Sequence, residues 1–370
     1  MKKSKKFFMT ICFIVFGVLI LIYKVYKSLL FGSGFLKKNS VDIGEQKKNA
    51  DLEKDEDGYY SITKKNDDNF KILQLTDLHI GGGYLSRHED LQALSIVRKV
   101  ILTTKPDLIV ITGDLTCPSI PLSLSVNNLN SIKIITDMLE KTEIPYAICF
   151  GNHDSTSKAT HSRKKLFEFI KEQPHSVMVE PQIDYEINGF SNYLVKLKNS
   201  DGSLNSVIFM LDSNDYTTYN KKKVYDYIRD DQVEWYEYEI NRLSKKAGKI
   251  IPSYLFFHMP VKEFDEAWEA ATNAEDNAKY FYGTRDEKIS YSPIESKIFD
   301  RALELGSTKG IFCGHDHLND FSVEYKDIRL TYGQSIDCIL YAKNLSQHKG
   351  ATLLTIDKTG KFSVKAIKHR

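Results

Sequence analysis

The chain has 370 residues, of which 42% are hydrophobic and 12% aromatic, so it can bury a core and is neither disordered nor of low complexity. Its formal charge of +2 is unevenly distributed, because residues 1–48 carry ten lysines against Asp42 and Glu45. The rest of the chain is therefore mildly acidic. That balance excludes a general nucleic-acid binder, which needs a basic surface, and we expect no nucleic-acid partner.

The first predicted element is an uncharged apolar run over residues 7–23, preceded by a basic flank at residues 1–6. As a helix this run spans about 26 Å, which is enough for a thin bilayer core. It is longer than the apolar region of a cleaved signal peptide, about 7–15 residues, and Lys24 and Lys27 come directly after it. We therefore predict an uncleaved signal anchor. The alternative is a cleaved signal and a secreted protein.

The charges around this run favour one orientation in a membrane, and a polar segment comes after it. Four lysines and the terminal amine precede the run, so the positive-inside rule favours a cytoplasmic N-terminus. The body of this single-pass membrane protein would then lie in a lumen or outside the cell. Residues 24–69 are polar and lack sustained periodicity, which predicts a linker.

From residue 70 onward, short β-rich runs alternate with amphipathic stretches. This alternation is typical of βαβ units and predicts one α/β domain with a partly parallel sheet over residues 70–370. The predicted strands are 70–75, 108–112, 146–150, 192–197, 207–211, 254–257 and 310–313, the predicted helices are 91–102, 131–140 and 233–243, and a hairpin closes the chain at 351–367.

Polar residues come after five of these strands, where ligands bind in open α/β sheets. They are Asp77-Leu78-His79, Gly113-Asp114, Gly151-Asn152-His153-Asp154, His258 and Gly314-His315-Asp316-His317. Carboxylates and imidazoles suit Mn, Fe and Zn alike, and this set lacks the thiolates that would select a softer metal. Seven candidate ligands exceed what one ion needs but fit two ions that share a carboxylate, about 3.5–4 Å apart.

The spacing within two of these blocks predicts convergence. Side chains two residues apart in extended chain point the same way, so Asp77 with His79, and His315 with His317, would each face one side. Any one block alone is more typical of a turn or a cap. The joint pattern, which uses five of the ten histidines, indicates a metal centre.

The blocks occur in the order D-x-H, GD, GNH[DE], H, GHxH, and in this they resemble the calcineurin-like metallophosphoesterases from about residue 69 to residue 367. The resemblance implies an α/β fold of two packed mixed sheets flanked by helices, a four-layer α/β/β/α sandwich, here preceded by one transmembrane helix. Four further stretches resemble the purple-acid-phosphatase-related branch, which includes yeast Dcr-type phosphatases and short plant members. They are residues 211–216, 231–236, 257–260 and 314–321.

The resemblance also implies roles, residue by residue. Asp77, His79, Asp114 and His317 would hold a first metal ion, and Asp114 would bridge to a second ion held also by Asn152, His258 and His315. His153 would face the substrate as a phosphate ligand and general acid, with Asp154 orienting its imidazole. The implied reaction is hydrolysis of phosphomonoesters by in-line attack of a hydroxide that bridges the two ions, which would be Mn, Fe or Zn.

Three departures from the family pattern bear on this expectation. Cys117 stands where purple acid phosphatases have a metal-binding tyrosine, so we expect a buried thiol and no tyrosinate–iron colour. Residues 113–118 lack the GDxxDRG pattern of protein Ser/Thr phosphatases, which disfavours that branch. Gln334 stands where relatives often have arginine, which would alter the substrate range.

Two other functions stay open at this point. The same site could act on phosphodiesters, either nucleotides or lipid headgroups. The chain could also be an inactive binding module on a membrane, a hypothesis that the complete set of expected ligands disfavours. The sequence does not set the oligomeric state.

Overall fold

The computed structural model describes residues 2–32, 43–44, 46, 49–340 and 349–369. In chain order the helices are α1 (Lys2–Phe31), α2 (Arg87–Thr104), α3 (Asn128–Glu140), α4 (Arg163–Lys171), α5 (Asp230–Ala247), α6 (Glu263–Thr272) and α7 (Ile298–Leu305). The strands are β1 (Ala50–Lys54), β2 (Tyr60–Lys64), β3 (Phe70–Leu75), β4 (Leu108–Thr112), β5 (Tyr146–Cys149), β6 (Tyr193–Lys198), β7 (Leu204–Met210), β8 (Tyr216–Tyr219), β9 (Lys222–Tyr225), β10 (Ser253–Phe256), β11 (Ala278–Tyr282), β12 (Thr308–Cys313), β13 (Ser322–Tyr325), β14 (Ile328–Tyr332), β15 (Gly350–Ile356) and β16 (Phe362–Lys368).

Two mixed sheets form the centre of the domain. One has nine strands in the order β1-β2-β6-β7-β10-β12-β14-β13-β11, the other has five in the order β16-β15-β3-β4-β5, and β8 and β9 form a separate hairpin. Helix α2 packs on the five-stranded sheet, and helices α6 and α7 pack on the nine-stranded sheet. The α/β fold with two packed mixed sheets flanked by helices is therefore confirmed.

The central strands are apolar because both of their faces are covered. Strand β4, with the sequence LIVIT, is buried at every residue, as expected for a parallel strand between a helix layer and a second sheet. Strands β3, β4 and β5 run parallel, and so do β7, β10, β12 and β14. Their carboxyl ends deliver the polar blocks of the sequence to one edge of the sandwich.

The predicted strands at 70–75 and 108–112 have the observed bounds of β3 and β4. The sheet, however, also takes in residues that we expected in the linker over 24–69. Strand β2 pairs in parallel with β6, and its residue Ile62 is fully buried. The sequence does not indicate this strand, because the residues beside it are charged: Asp55 and Asp57 make ion pairs with Lys196 of β6.

Helix α1 contains the predicted apolar run and extends eight residues beyond residue 23, to Phe31. Within the described residues it is the one helix long and apolar enough to cross a membrane, over Lys5–Leu30 with a mean hydropathy of 2.5.

Strand β5 is an edge strand that lies inside the protein, so its outward backbone groups need partners other than water. For Ile148 the hydroxyl of Tyr193 on β6 provides them across the gap between the sheets. It accepts a hydrogen bond from the Ile148 amide at 2.6 Å and donates one to the Ile148 carbonyl at 2.8 Å. One phenol thus joins the two sheets and satisfies both backbone groups of Ile148.

We expect Tyr193→Phe to lower the free energy of unfolding by about 1–3 kcal/mol, because it leaves a buried amide and a buried carbonyl unpaired. Urea unfolding of the two proteins measures the difference. Tyr254→Phe on β10 is the matched control, since among the described residues the buried Tyr254 hydroxyl has no hydrogen-bond partner. Equal losses in both variants would contradict the role of the Tyr193 hydroxyl.

Candidate metal centre

The loops after β3, β4 and β12 bring the first group of candidate ligands together. Asp77, His79, Asp114 and His317 offer ligand atoms that all lie within 4.8 Å of one another. His79 Nε2 is 3.2 Å from His317 Nε2 and 3.6 Å from Asp114 Oδ2, and His317 Nε2 is 3.5 Å from Asp77 Oδ1. All four side chains are buried. This is the group that the family resemblance implied for one ion.

A second group lies beside the first and shares Asp114 with it. Ligand atoms of Asp114, His258 and His315 also lie within 4.8 Å of one another. His258 Nε2 is 3.2 Å from Asp114 Oδ2, 3.2 Å from His315 Nδ1 and 3.1 Å from Asn152 Oδ1, so the Asn152 amide oxygen joins this group. All seven predicted ligands therefore meet at one place, in two sets with one carboxylate in common.

We expected these side chains to converge from extended chain, but the structure contradicts this. Four of the ligand residues instead have left-handed backbone. The φ angles of Asp77, His79, Asp114 and His315 are 53°, 49°, 50° and 79°. The turn at His315 separates it from His317, so these two histidines enter different groups instead of one. Non-glycine residues rarely adopt this region, and each costs roughly 1–3 kcal/mol, so the surrounding structure must hold these four residues in place.

Two glycines of the polar blocks allow the backbone to approach these carboxylates. A Cβ atom at Gly151 would collide with Asp114 Oδ1, and one at Gly314 would collide with Thr76 Oγ1. Only glycine therefore fits at these two positions without a shift of the neighbouring residues.

The electrostatics of the centre suit cations. Burial lowers the pKa of His79 to about 4, and burial together with His258 lowers the pKa of His315 to about 3, so both imidazoles are neutral at pH 7. Burial also pulls down the pKa of His258, but the Asp114 carboxylate outweighs it and raises that pKa to about 9. His258 would therefore give up a proton when an ion binds, because Mn, Fe and Zn bind carboxylates and deprotonated imidazoles.

Hydrogen bonds from outside the two groups orient three of these side chains. His258 Nδ1 is 2.9 Å from the Thr112 carbonyl oxygen, which leaves Nε2 facing Asp114. His317 Nδ1 is 3.2 Å from Asp337 Oδ2. Asn152 Nδ2 donates to the Tyr216 hydroxyl at 3.3 Å, so the amide oxygen is turned toward His258. Partners of this kind fix the tautomer and the ring orientation of metal-binding histidines.

Asp337 and Tyr216 were missed from the sequence. Neither stands in one of the five polar blocks, and each meets its partner only through the tertiary fold. The only local signal was that Asp337 is a charged residue within an otherwise apolar run, residues 336–340.

The hairpin of β8 and β9 covers the second group with aromatic rings. The Tyr225 ring stands edge-on to His315 with centroids 4.7 Å apart, and it stacks on Tyr216 at 5.3 Å. Lys223 Nζ lies 3.8 Å from the centroid of the Tyr216 ring. The Tyr216 ring therefore lies between the Lys223 ammonium group and Asn152, to which the Tyr216 hydroxyl is hydrogen-bonded.

His153 and Asp154 are adjacent in sequence, but their side chains have different surroundings. The His153 amide donates to Asp114 Oδ1 at 2.8 Å, and its half-buried ring lies 5.1 Å from the His79 ring. The Asp154 carboxylate accepts from the backbone amides of Gly151 at 2.8 Å and Thr116 at 3.0 Å. We expected Asp154 to orient the His153 imidazole; it instead ties the loops after β4 and β5 together.

Two of the three departures from the family pattern, Cys117 and Gln334, are buried. Burial raises the pKa of the Cys117 thiol to about 12, so this residue is a neutral thiol, in agreement with the expected buried cysteine. Gln334 is fully buried, and among the described residues neither polar atom of its side chain has a hydrogen-bond partner.

The α/β sandwich thus carries a candidate metal site of Asp and His residues at one edge of its two sheets. The calcineurin-like phosphoesterase family model matches residues 70–319. The chain belongs to the calcineurin-like phosphoesterase family.

Its relatives include plant and yeast proteins. Probable inactive purple acid phosphatase 28 of Arabidopsis thaliana is 30% identical over 295 residues, which cover 73% of this chain and 70% of the relative. Probable inactive purple acid phosphatase 29 of the same plant is 29% identical over 330 residues, 81% of each chain. Phosphatase DCR2 of Saccharomyces cerevisiae is 29% identical over 285 residues, which cover 71% of this chain but 46% of the yeast protein. The predicted resemblance to the purple-acid-phosphatase-related, Dcr-type branch is confirmed.

A solved structure has the same fold. A dimetal phosphatase from Danio rerio superimposes with a TM-score of 0.53 at 12% identity, covering 82% of this chain and 98% of its own. At that identity the likeness concerns the fold alone.

We expect Asp337→Asn to weaken metal binding about 10–100-fold, because His317 would lose the charged partner that orients its ring. Titration of the metal-free protein with Mn²⁺ or Zn²⁺ in a calorimeter measures the affinity. Asp107→Asn is the control, since Asp107 is a buried carboxylate paired with Lys64 at the opposite end of β4. Unchanged affinity in Asp337→Asn would show that Asp337 has no such role.

Proposed function

We propose that this chain is a membrane-anchored phosphoesterase that uses two metal ions to hydrolyse phosphomonoesters. The observation that supports the proposal most is the pair of Asp/His groups that share the Asp114 carboxylate. A shared carboxylate is what a two-ion site needs, and such sites clamp both oxygens of an in-line displacement at phosphorus.

The residues present fit two ions. Asp77, His79, Asp114 and His317 would hold the first ion. Asp114, Asn152, His258 and His315 would hold the second. Bound there, the ions would supply Lewis-acid stabilisation of phosphoryl charge and lower the pKa of a water molecule to about 7.

His153 is the side chain best placed to act on the substrate itself. Its ring lies beside the His79 ring, and its backbone amide is hydrogen-bonded to Asp114, the residue that both groups share. The ring is half-buried, whereas almost all of the candidate ligands are fully buried. A phosphoryl group bound over the two groups would therefore meet the imidazole. From there His153 would hydrogen-bond a phosphoryl oxygen and donate a proton to the departing alkoxide.

The plant relatives named above are called inactive, so activity in this chain is a matter for experiment. All seven ligand positions of the family pattern are filled here, and the structure brings the seven side chains together. That completeness supports an enzyme over a binding module.

Membrane anchoring is the second part of the proposal. Residues 7–23 would form the span, with residues 1–6 as the basic flank and the phosphoesterase domain on the other side of the bilayer. The support is helix α1, whose most apolar stretch is entirely exposed on the protein surface. A helix that is apolar on all sides and uncovered by protein needs lipid around it.

We expect the full-length protein in detergent to lose phosphomonoesterase activity on chelation and to recover it when Mn, Fe or Zn is restored. Asp114→Asn should lose metal content and turnover together, because one carboxylate serves both ions. A chromogenic phosphomonoester and the matching diester, assayed beside metal analysis, test this. Preference for the diester would contradict the phosphomonoesterase proposal and favour a phosphodiesterase. No turnover with any metal, in a folded protein that has bound the metal, would contradict both activities.

We expect His153→Ala to keep its metal content and to lose roughly 10²–10⁴-fold in kcat, the usual worth of general acid catalysis. The matched control is His161→Ala, a partly exposed histidine further along the same loop whose ring contacts Thr160. Loss of metal from His153→Ala would mean that His153 is a ligand instead.

A further inference from the structure

The carboxyl end of α1 is bound to the phosphoesterase domain. The side chain of Ser28 is buried there, although residues 5–24, Tyr26 and Lys27 of the same helix are exposed. Its hydroxyl donates to the Leu124 carbonyl at 2.8 Å and accepts from the Tyr84 amide at 3.0 Å. One serine of the helix thus contacts two separate loops of the domain.

The last carbonyls of the helix are satisfied by the second of these loops. The Leu29 carbonyl accepts from the Val126 amide at 3.1 Å, and the Leu30 carbonyl accepts from Asn127 Nδ2 at 2.6 Å. These are carbonyls that a helix terminus leaves without an intrahelical partner. The domain caps the helix, so helix and domain have a fixed relative orientation.

The residues just before this contact are of the kind found where a bilayer meets water. Tyr23 and Tyr26 are exposed, and Lys24 and Lys27 alternate with them. Tyrosines at the headgroup level and lysines beside them mark the end of a membrane span. Tyr26 is two residues before Ser28, about 3 Å along the helix axis, so the domain begins at the headgroup layer.

The two loops that hold Ser28 expose four large apolar side chains, which we call the loop patch. Tyr84 is 59% exposed, Leu85 53%, Ile120 51% and Leu122 41%. A hydrogen bond from the Leu85 amide to the Ser123 carbonyl at 3.2 Å joins the loops, so the four side chains belong to one surface. A cluster of exposed apolar side chains is typical of a surface that contacts a membrane or another molecule.

We propose that the loop patch lies in the headgroup region of the same bilayer that α1 spans, so that this face of the domain rests on the membrane. The inference builds on the membrane anchor proposed above. Its own support is the continuity between the span and the patch: Tyr84 is hydrogen-bonded through its amide to the serine that comes after the interfacial tyrosines. Apolar side chains at that depth replace contact with water by contact with lipid, which is favourable.

The same loops connect the membrane contact to the candidate metal centre. In the first loop, the candidate ligand His79 comes five residues before Tyr84. In the second loop, the candidate ligand Asp114 comes six residues before Ile120. The second loop continues to Asn128, whose Nδ2 donates to the Asp154 carbonyl at 2.8 Å. The metal centre is therefore held at a set height and orientation relative to the bilayer.

The test uses the full-length chain in phospholipid vesicles, with one tryptophan added at Leu85→Trp or at Ile120→Trp. Both positions are exposed, so neither substitution disturbs the core. We expect the added emission to be blue-shifted and to be mostly lost when the vesicles contain lipids brominated near the headgroup. Difference spectra against the unsubstituted chain remove the signal of Trp235 and Trp268.

Tyr238→Trp is the matched control, because Tyr238 is 55% exposed on α5, the helix whose Tyr236 ring packs on Phe209 of the nine-stranded sheet. We expect its emission to be unaffected by brominated lipid. A carbonate wash of the same vesicles reports on the anchor separately. A chain that washes off contradicts the anchor. A chain that stays while its Leu85→Trp and Ile120→Trp variants behave like the control overturns the loop patch as a membrane contact and leaves the anchor intact. Blue-shifted emission without quenching would mean that a second copy covers the patch, and would also overturn the proposal.

Discussion

Asp114 is the side chain on which the centre depends. Its carboxylate lies in a fully buried place where ionisation is costly, and the His258 imidazole together with the His153 amide keeps it charged. Because it belongs to both ligand groups, the loops after β3, β4, β5, β10 and β12 must all reach it. The two sheets therefore have to pack with their strand ends level.

The side chains around Asp114 are held by partners of quite different kinds. A backbone carbonyl holds His258, a carboxylate holds His317, and a tyrosine hydroxyl holds Asn152. Each partner comes from a different part of the chain, so the geometry of the centre reports on the packing of the whole domain. Local unfolding of any one element would disturb the ligands it supports.

Much of this could be predicted from the sequence, because the candidate ligands come after apolar strands in a recognisable order. Asp77, His79 and Asp114 each stand directly after a strand whose bounds are themselves evident. The residues that orient His317 and Asn152 could not be predicted in this way. Asp337 is 20 residues from His317 and Tyr216 is 64 from Asn152, and neither separation leaves a local pattern.

The errors have physical causes as well. The sequence predicts a linker in place of strands β1 and β2 because ion pairs, not apolar residues, connect the segment between them to β6. Asp154 was assigned to His153 because the two are adjacent, whereas the loop geometry turns its carboxylate toward two backbone amides. In both cases the composition of a short segment did not show what it would contact.

The left-handed backbone at Asp77, His79, Asp114 and His315 has a consequence for how such a protein changes over time. Glycine at His79 or His315 would remove a ligand and at the same time relieve roughly 1–3 kcal/mol of backbone strain. Activity and stability are therefore opposed at these positions. The fold therefore has to hold four residues in a strained conformation to place the candidate ligands, a cost that the same backbone without these side chains would not bear.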